Sequence, residues 1–300
     1  MSGRAAFLRR PSPESLAWVA GVIGRGSRVR RVRALGGSTT SAVHAVYVER
    51  AGRRHALVLR RYLAPEVLAA EPDLIDRESA ALAALQGSGV PAPRLLDVDP
   101  TAEHADAPAV LMTLVPGRVQ VQPRDRDEWL RRMAALLRVV HAVNPVVAAR
   151  YRRYNPTGVL PAWANRPLWQ RALERARRGP DERVTPRFIH RDFHPGNVLW
   201  QRGCVTGVVD WVQACVGPPQ VDIGHCRTNI AALFGIRAAN VFLRACESLG
   251  YRYEPYWDVV CSLDRLPGGP SAESWQAFGM AAPAVRVMRG RLESLVGRAL

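Results

Sequence analysis

Short runs of alternating hydrophobic and polar residues dominate the first third of the chain and predict antiparallel β-strands. The alternation begins near Val29, is interrupted over residues 35–41 and resumes over 42–49. A turn at Ala51 and Gly52 then leads into another strand over 55–62. Shorter strands are predicted over 94–98 and 109–115, where hydrophobic runs are bounded by proline and glycine. The three strands up to residue 62 therefore predict a meander with a glycine-bearing loop at its first bend.

Hydrophobic residues at helical spacing predict where the helices lie. In the first part of the chain they indicate a short helix over 14–23 and a stronger one over 73–85. Beyond Gly117 a hairpin over 198–209 is surrounded by helices at 128–143, 167–178, 221–234, 237–249 and 272–300, the last interrupted near Pro283. The pattern predicts an α+β protein with two lobes: an N-terminal antiparallel sheet lobe with one main helix over 1–115, and a mostly helical C-terminal lobe over 116–300.

Composition places the chain among soluble globular proteins, since 48% of its 300 residues are hydrophobic and 23% are charged. No apolar run approaches the roughly 20 residues that span a bilayer. The N-terminus, with Arg4, Arg9 and Arg10, lacks the apolar stretch of a secretion signal. We therefore expect a cytoplasmic protein without a membrane partner. The five cysteines form no Cys-x-x-Cys pair, which favours free thiols over a zinc site or a disulfide framework.

The net charge of +16 suggests a nucleic-acid partner, but its source argues against one. All 42 basic residues are arginine, so the charge reflects a preference along the whole chain. Runs such as 28–33 and 150–154 are interpreted as solvated surface or as elements that face phosphates. We therefore expect no nucleic-acid partner, and the sequence does not predict an oligomeric state.

The most informative motif runs from Phe188 to Asn197 and contains His190-Arg191-Asp192. A carboxylate at Asp192 can accept the proton of an attacking hydroxyl group. The amide oxygen of Asn197, and the carboxylate of Asp210 after the next strand pair, are hard oxygen donors suited to Mg²⁺ on ATP phosphates. Each residue taken alone also has a structural interpretation: Asp192 as a surface loop residue, Asn197 as a turn residue and Asp210 as a helix cap. Their order and spacing favour phosphoryl transfer.

These motifs resemble the aminoglycoside phosphotransferase family, a branch of the protein-kinase-like superfamily. The family's loop reads His-Gly-Asp-hydrophobe-His-x-x-Asn, and His190, Asp192, His194 and Asn197 fill the matching positions. The resemblance extends from about residue 35 to 227 and implies a bilobal protein-kinase-like fold. It implies Asp192 as the catalytic residue and ATP with Mg²⁺ as cofactors. His190 and His194 are interpreted as loop braces, and Asp222 as a helix-opening residue that anchors the loop.

The resemblance also assigns nucleotide-binding residues in the first lobe. A glycine-rich loop would cover the ATP phosphates, Met112 and Leu114 would lie near the adenine, and Glu78 would pair with a cation on the preceding strand. Kinase-like proteins place lysine there, whereas this chain has Arg60, with Arg61 pointing to the opposite face. The loop residues are Gly36, Gly37, Ser38 and Thr39.

The acceptor region argues against the polycationic substrates that give the family its name. Residues 145–187 contain ten arginines but only Glu174, Asp181 and Glu182 as acids, and an ammonium-rich substrate needs carboxylates. Four aromatic residues in or near this stretch, Tyr151, Tyr154, Trp163 and Trp169, are either walls of the acceptor pocket or core residues. The predicted activity is ATP-dependent phosphorylation of a hydroxyl group on a small molecule.

Two other functions remain open at this point. Arg60 at the lysine position allows a catalytically silent, nucleotide-binding regulatory module. The charge of +16 allows a nucleic-acid-binding protein.

Overall fold

A computed structural model describes residues 8–36, 41–144, 149–152, 159–267, 269, 271–276 and 278–300. The chain divides into two compact units, described separately below. The N-terminal unit comprises Met1–Pro116 and Thr206–Gln213. The C-terminal unit comprises Gly117–Val205 and Ala214–Leu300. The short segment after residue 205 therefore groups with the N-terminal part of the chain, and Asp210 belongs to it.

Five antiparallel strands form the sheet of the N-terminal unit, in the order β1-β2-β3-β5-β4. Their bounds are Arg28–Leu35 (β1), Ala42–Arg50 (β2), Arg53–Arg61 (β3), Leu95–Asp99 (β4) and Ala109–Thr113 (β5). Residues such as Val46, Leu57 and Leu59 alternate inward and pack with Val19 of the first helix. The predicted meander is confirmed for β1 to β3, with β2 and β3 joined at the predicted turn, whereas β5 lies between β3 and β4.

Three helices accompany this sheet: α1 (Pro13–Ile23), α2 (Pro65–Ala70) and α3 (Leu74–Leu85). The predictions for α1 and α3 are confirmed within one residue, whereas the six-residue α2 was not predicted. Leu74, Leu82 and Leu85 line the buried face of α3 and leave Glu78 inside the protein. The turn Trp211–Gln213 packs against α3. This helix therefore places a carboxylate in the interior, where a charged partner is required.

The C-terminal unit is mostly helical, as predicted. Its helices are α4 (Arg126–Val140), α5 (Pro167–Arg178), α6 (Gln220–Phe234), α7 (Ile236–Ser248), α8 (Tyr256–Asp264), α9 (Ala272–Gln276) and α10 (Val285–Ala299). The long helix predicted over 272–300 is divided into α9 and α10 around the predicted interruption. The sequence patterns did not predict α8. Of the four aromatic residues that were either acceptor walls or core residues, Trp169 lies in the core, and Tyr151 and Trp163 pack against the same core. Tyr154 lies outside the described residues.

Small strands of the C-terminal half form two further sheets. β7 (Arg187–Ile189) pairs with β10 (Cys215–Gly217), and β6 (Arg118–Val119), β8 (Val198–Gln201) and β9 (Cys204–Val208) form a three-stranded sheet. The predicted hairpin corresponds to β8 and β9. The chain passes from one unit to the other within β9.

Helix α6 is buried on nearly every side and organises the C-terminal unit. Gly224 lets it approach α8 closely, because a Cβ atom there would lie 2.9 Å from the Trp257 carbonyl oxygen. Arg227 of α6 holds the two helices together through Asp258 of α8, with Nε 2.9 and 3.0 Å from the two carboxylate oxygens. The two helices therefore form a tightly packed pair.

Candidate active site

The predicted catalytic loop begins directly after β7 and ends in the short helical turn Pro195–Asn197. Arg191 has a positive φ of 66°, which turns the chain sharply before Asp192. His194 caps the helical turn, because its Nδ1 accepts a hydrogen bond from the Gly196 N–H at 3.0 Å. With Nδ1 acting as acceptor, the ring proton of neutral His194 lies on Nε2.

Asp222 lies in the first turn of α6, is completely buried and holds the start of this loop. Its carboxylate accepts hydrogen bonds from the backbone N–H groups of His190 at 2.9 Å and Arg191 at 2.7 Å. The Nε2 atom of His141 lies 2.9 Å from the same carboxylate. Tyr251 completes the chain of contacts, with its hydroxyl 2.7 Å from His141 Nδ1. One side chain thus ties the loop to the core of the unit.

Asp192 is held by side chains on both sides while its own side chain remains 36% exposed. Asn197 Nδ2 donates to the Asp192 backbone oxygen at 2.9 Å and to Oδ2 at 3.1 Å. His225 of α6 places Nε2 at 2.9 Å from Oδ1, and His194 Nε2 lies 3.7 Å from Oδ2. This carboxylate is therefore fixed in orientation and accessible, as a proton acceptor requires.

The protonation states of Asp192 and His194 suit a proton acceptor at position 192. Burial alone would raise the pKa of Asp192, but His194 and His225 outweigh it and hold the pKa well below its usual range. Burial lowers the pKa of His194 to about 4, although the charge of Asp192 opposes this shift. Near neutral pH, Asp192 is therefore ionised beside a neutral His194.

His190 is completely buried, and its Nδ1 accepts the Asp192 N–H at 3.3 Å. Its ring packs against Phe193 with a centroid distance of 6.2 Å. These contacts suit the predicted role as a loop brace.

In the N-terminal unit, Arg60 of β3 bridges two carboxylates. Its Nη1 lies 2.8 Å from Glu78 Oε1 and 2.9 Å from Asp210 Oδ1. Tyr62 donates its hydroxyl to the other oxygen of Glu78 at 2.7 Å. Burial would lower the pKa of Arg60, but Glu78 and Asp210 outweigh it and raise the pKa. The structure therefore brings together the predicted Arg60–Glu78 pair and adds Asp210 as a third member.

Arg61 lies apart from this cluster, as the alternation of side chains along a strand requires. Its Nη1 pairs with Asp106 at 2.6 Å and its Nη2 donates to the Arg9 carbonyl at 2.6 Å. Arg60 is therefore the β3 arginine that faces Glu78.

Asp210 follows β9 and adopts a left-handed conformation with φ of 69°. The Trp211 indole N–H donates to the Val208 carbonyl at 2.9 Å and fixes this bend. The Asp210 side chain is 39% exposed. Asn197, described with the other unit, donates its Nδ2 to Asp192, so its Oδ1 takes no part in that hydrogen bond. The donor chemistry of these two residues fits a hard cation such as Mg²⁺.

The remaining nucleotide-binding predictions are only partly covered by the structure. Gly36 is exposed, whereas the predicted residues Gly37, Ser38 and Thr39 lie outside the described residues. Met112 lies in β5 opposite Val58. The Leu114 N–H already donates to the Ala56 carbonyl at 2.9 Å, so it is engaged within the sheet.

Sequence reasoning missed three side chains at these clusters: Tyr62, His141 and His225. His225 stands three residues after Asp222 on a predicted helix, so helical spacing could have placed it on the same face. Tyr62 stands two residues after Arg60 on a predicted strand, so strand alternation could have placed it on the same face. Nothing local marks His141, because its partners Asp222 and Tyr251 lie far away in the sequence.

Among the described ranges, no helix is long and apolar enough to cross a membrane. The same residues contain no cluster of three or more histidine, cysteine or acidic side chains suited to a metal. The predicted Mg²⁺ ligands, one amide and one carboxylate, are not a cluster of that kind.

Comparison with known proteins identifies the fold and the family. Residues 32–260 match the sequence model of the phosphotransferase enzyme family. A thermostable mutant of aminoglycoside phosphotransferase APH(4)-Ia, in a ternary complex with AMP-PNP and hygromycin B, superposes with a TM-score of 0.62 at 16% identity, covering 94% of this chain and 97% of that one.

Macrolide phosphotransferases are similar as well. The macrolide 2'-phosphotransferase MphH from Brachybacterium faecium has a TM-score of 0.59 at 18% identity, with 94% and 97% of the two chains covered. For a macrolide 2'-phosphotransferase type I the TM-score is 0.54 at 20% identity, with 91% and 98% covered. No curated protein matches the chain. The predicted resemblance and fold class are confirmed: the chain has the protein-kinase-like fold of these enzymes and belongs to the phosphotransferase enzyme family.

Proposed function

We propose that this protein transfers the γ-phosphate of ATP to a hydroxyl group of a small molecule, with Asp192 as the catalytic residue. The observation that carries the proposal is the setting of Asp192, an ionised and accessible carboxylate fixed by Asn197 and His225. A carboxylate so placed can orient the acceptor hydroxyl and take its proton during phosphoryl transfer. Asp222, His190 and His194 keep the loop in position.

Nucleotide binding is proposed for the cluster around Arg60. Arg60 stays charged and is oriented by Glu78, which suits contact with the α- and β-phosphates. Gly36 to Thr39 would cover the phosphates, and Met112 and Leu114 would lie near the adenine. Solved relatives were crystallised with AMP-PNP and with ADP, which supports ATP as the donor.

Asn197 and Asp210 are the proposed magnesium ligands. Mg²⁺ held by an amide and a carboxylate oxygen would neutralise charge on the phosphates. Asn197 is suited to this role because Asp192 fixes its amide group.

The acceptor is proposed to be a small molecule that is not strongly polycationic. Asp181 is already paired with Arg175, so one of the few acids of the 145–187 segment is neutralised. The lobe assignments, residues 1–115 for nucleotide and 116–300 for catalysis and acceptor, remain proposals. We also propose a cytoplasmic location, where ATP is available; the five free cysteines agree with a reducing compartment.

Calorimetry with AMP-PNP tests the nucleotide site. Binding is expected to require Mg²⁺, and Asp210→Asn is expected to weaken the Mg²⁺-dependent binding by at least about tenfold, because a charged metal ligand is lost. Asp76→Asn, which removes an exposed carboxylate from the same unit, is the control and should bind as the wild type does. Absence of AMP-PNP binding, or equal binding by Asp210→Asn, would refute the proposal.

A catalytically silent module is the second candidate, favoured by the contact between Arg60 and Asp210. The direction in which Arg60→Lys changes ATP turnover distinguishes an active enzyme from a silent module. In an active enzyme, lysine loses one of the two charged contacts, and ATP turnover should fall by about tenfold. In a silent module the wild type should bind AMP-PNP but should not turn over ATP, and Arg60→Lys should restore ATP turnover. ADP release measures turnover, and Arg53→Lys, at an exposed position of β3, is the control.

A further inference from the structure

The two ring nitrogens of His194 have different surroundings. Nδ1 accepts the Gly196 N–H at 3.0 Å and so caps the turn Pro195–Asn197. The proton of the neutral ring therefore lies on Nε2. Within the residues that the structure describes, this Nε2–H donates no hydrogen bond, and it lies 3.7 Å from Asp192 Oδ2. One nitrogen thus serves the fold, and the other is a hydrogen-bond donor beside the proposed catalytic carboxylate.

The orientation of the His194 ring is fixed by its neighbours. Trp275 meets it edge to face, with 5.6 Å between the ring centroids, and the His225 ring lies at 5.9 Å. Gly196 leaves room for the ring, because a Cβ atom there would lie 2.6 Å from His194 Cε1. These contacts, together with the hydrogen bond to Nδ1, hold Nε2 in place beside Asp192.

The separation of 3.7 Å between His194 Nε2 and Asp192 Oδ2 is longer than a direct hydrogen bond of about 2.7–3.2 Å. At this separation a single oxygen atom can lie within hydrogen-bond distance of both atoms. Oδ2 also accepts the Asn197 amide at 3.1 Å, and a carboxylate oxygen has a second lone pair for another donor. The side chains of Asp192 and His194 are 36% and 18% exposed, so both can be reached.

The chemistry of this pair of atoms selects the group that can join them. The joining oxygen accepts a hydrogen bond from the His194 N–H and donates one to the Asp192 carboxylate. A hydroxyl group does both, because it carries one proton and two lone pairs. An ammonium group has no lone pair to offer His194, and a carboxylate has no proton to offer Asp192. The pair therefore fits the hydroxyl group of an acceptor.

We propose that His194 is a second catalytic residue, whose Nε2–H donates a hydrogen bond to the acceptor oxygen while Asp192 takes the proton of that oxygen. This inference rests on the proposed phosphotransferase function and adds a residue to it. A free lone pair of the oxygen forms the bond to the γ-phosphorus, and the bond from this phosphorus to the β–γ bridging oxygen breaks, its electrons leaving with ADP. His194 keeps its proton and acts by holding the oxygen in position for attack.

Two substitutions separate the roles of the two ring nitrogens. In His194→Asn the amide oxygen takes the place of Nδ1, so the cap on the turn is kept, but no donor stands at the place of Nε2. In His194→Gln the amide N–H group takes the place of Nε2, but the acceptor at the place of Nδ1 is lost. The catalytic role therefore predicts faster turnover by His194→Gln, whereas a role in the turn alone predicts faster turnover by His194→Asn.

Release of ADP from ATP and Mg²⁺ measures turnover, with water and with glycerol supplying the acceptor oxygen. We expect His194→Asn to lower kcat by about 10- to 100-fold, with the melting temperature and AMP-PNP affinity unchanged. His194→Gln should melt at a lower temperature but turn over faster than His194→Asn. His104→Asn, at an exposed histidine, is the matched control and should keep the wild-type kcat. The reverse order of the two His194 variants, or wild-type turnover by His194→Asn, would overturn the inference.

Gly196→Ala tests the placement of the ring, because the added methyl group displaces His194 Cε1. It should lower kcat of the wild type by about tenfold and change that of His194→Asn little, since asparagine has no atom at that place. Gly290→Ala, at an exposed glycine of α10 with open space around it, is the control. Equal losses in both backgrounds would count against the inference.

Failure of the proposed function is distinguishable from failure of this inference. If the wild type releases no ADP with either acceptor oxygen, the phosphotransferase proposal fails and His194 loses its role with it. If the wild type turns over ATP and His194→Asn does so at the same rate, only the role of His194 is refuted, and Asp192 remains the proposed catalytic residue.

Discussion

Asp192→Asn is expected to lower kcat by about 10²- to 10⁴-fold, the contribution of a positioned general base. Asparagine retains the size of the side chain and can still contact Asn197 and His225, but it cannot accept the hydroxyl proton. AMP-PNP affinity should stay the same, since the loss concerns the chemical step. Single-turnover phosphorylation of an acceptor, combined with nucleotide calorimetry, measures both quantities.

Asp127→Asn is the control for this experiment, because Asp127 is an exposed carboxylate of the same unit outside the 145–187 acceptor segment. It should keep the wild-type rate. If Asp192→Asn phosphorylates the acceptor as fast as the wild type, Asp192 is not the catalytic residue and the role falls to another group of the loop.

The second large effect is expected on stability. Asp222→Ala should lower the free energy of unfolding by about 3–5 kcal/mol, because removal of a buried carboxylate leaves its partners unsatisfied. Those partners are the N–H groups of His190 and Arg191 and the ring of His141. The loop should lose its alignment at the same time, so kcat should fall together with stability. Urea unfolding and turnover measure the two effects.

Asp127→Ala tests whether burial and the loop contacts matter more than helix position. Asp127 occupies the first turn of α4 as Asp222 does that of α6, but it is exposed. Its loss should cost only about 0.3–1 kcal/mol through the helix dipole. Equal effects of the two substitutions would mean that Asp222 acts as an ordinary helix-end acid and does not anchor the loop.

Much of the fold was predictable because local patterns agree with the tertiary structure. Alternation placed β2 and β3, and helical spacing placed α3, α4 and α5 within a few residues. Helix α8 was not predicted because it is buried on nearly all sides, so Val259, Val260 and Leu263 form no single apolar stripe. The six-residue α2 is too short to show the hydrophobic periodicity of a helix.

The candidate site was predictable where a motif fixes residues close together in the sequence. Asp192 and Asn197 lie five residues apart, and their mutual hydrogen bond follows from that spacing. The contact between Arg60 and Asp210 joins residues 150 positions apart, and no periodicity encodes it.

The close packing of α6 against α8 has a consequence for how this protein can diversify. Helix α6 carries Asp222 and His225, which contact the reaction loop, and it has no room for a larger residue at Gly224, where it meets α8. Substitutions away from this contact can therefore change the surroundings of the acceptor while the buried helix keeps Asp222 and His225 in position. A laboratory search for new substrates is best directed away from the contact between α6 and α8, with Gly224 left unchanged.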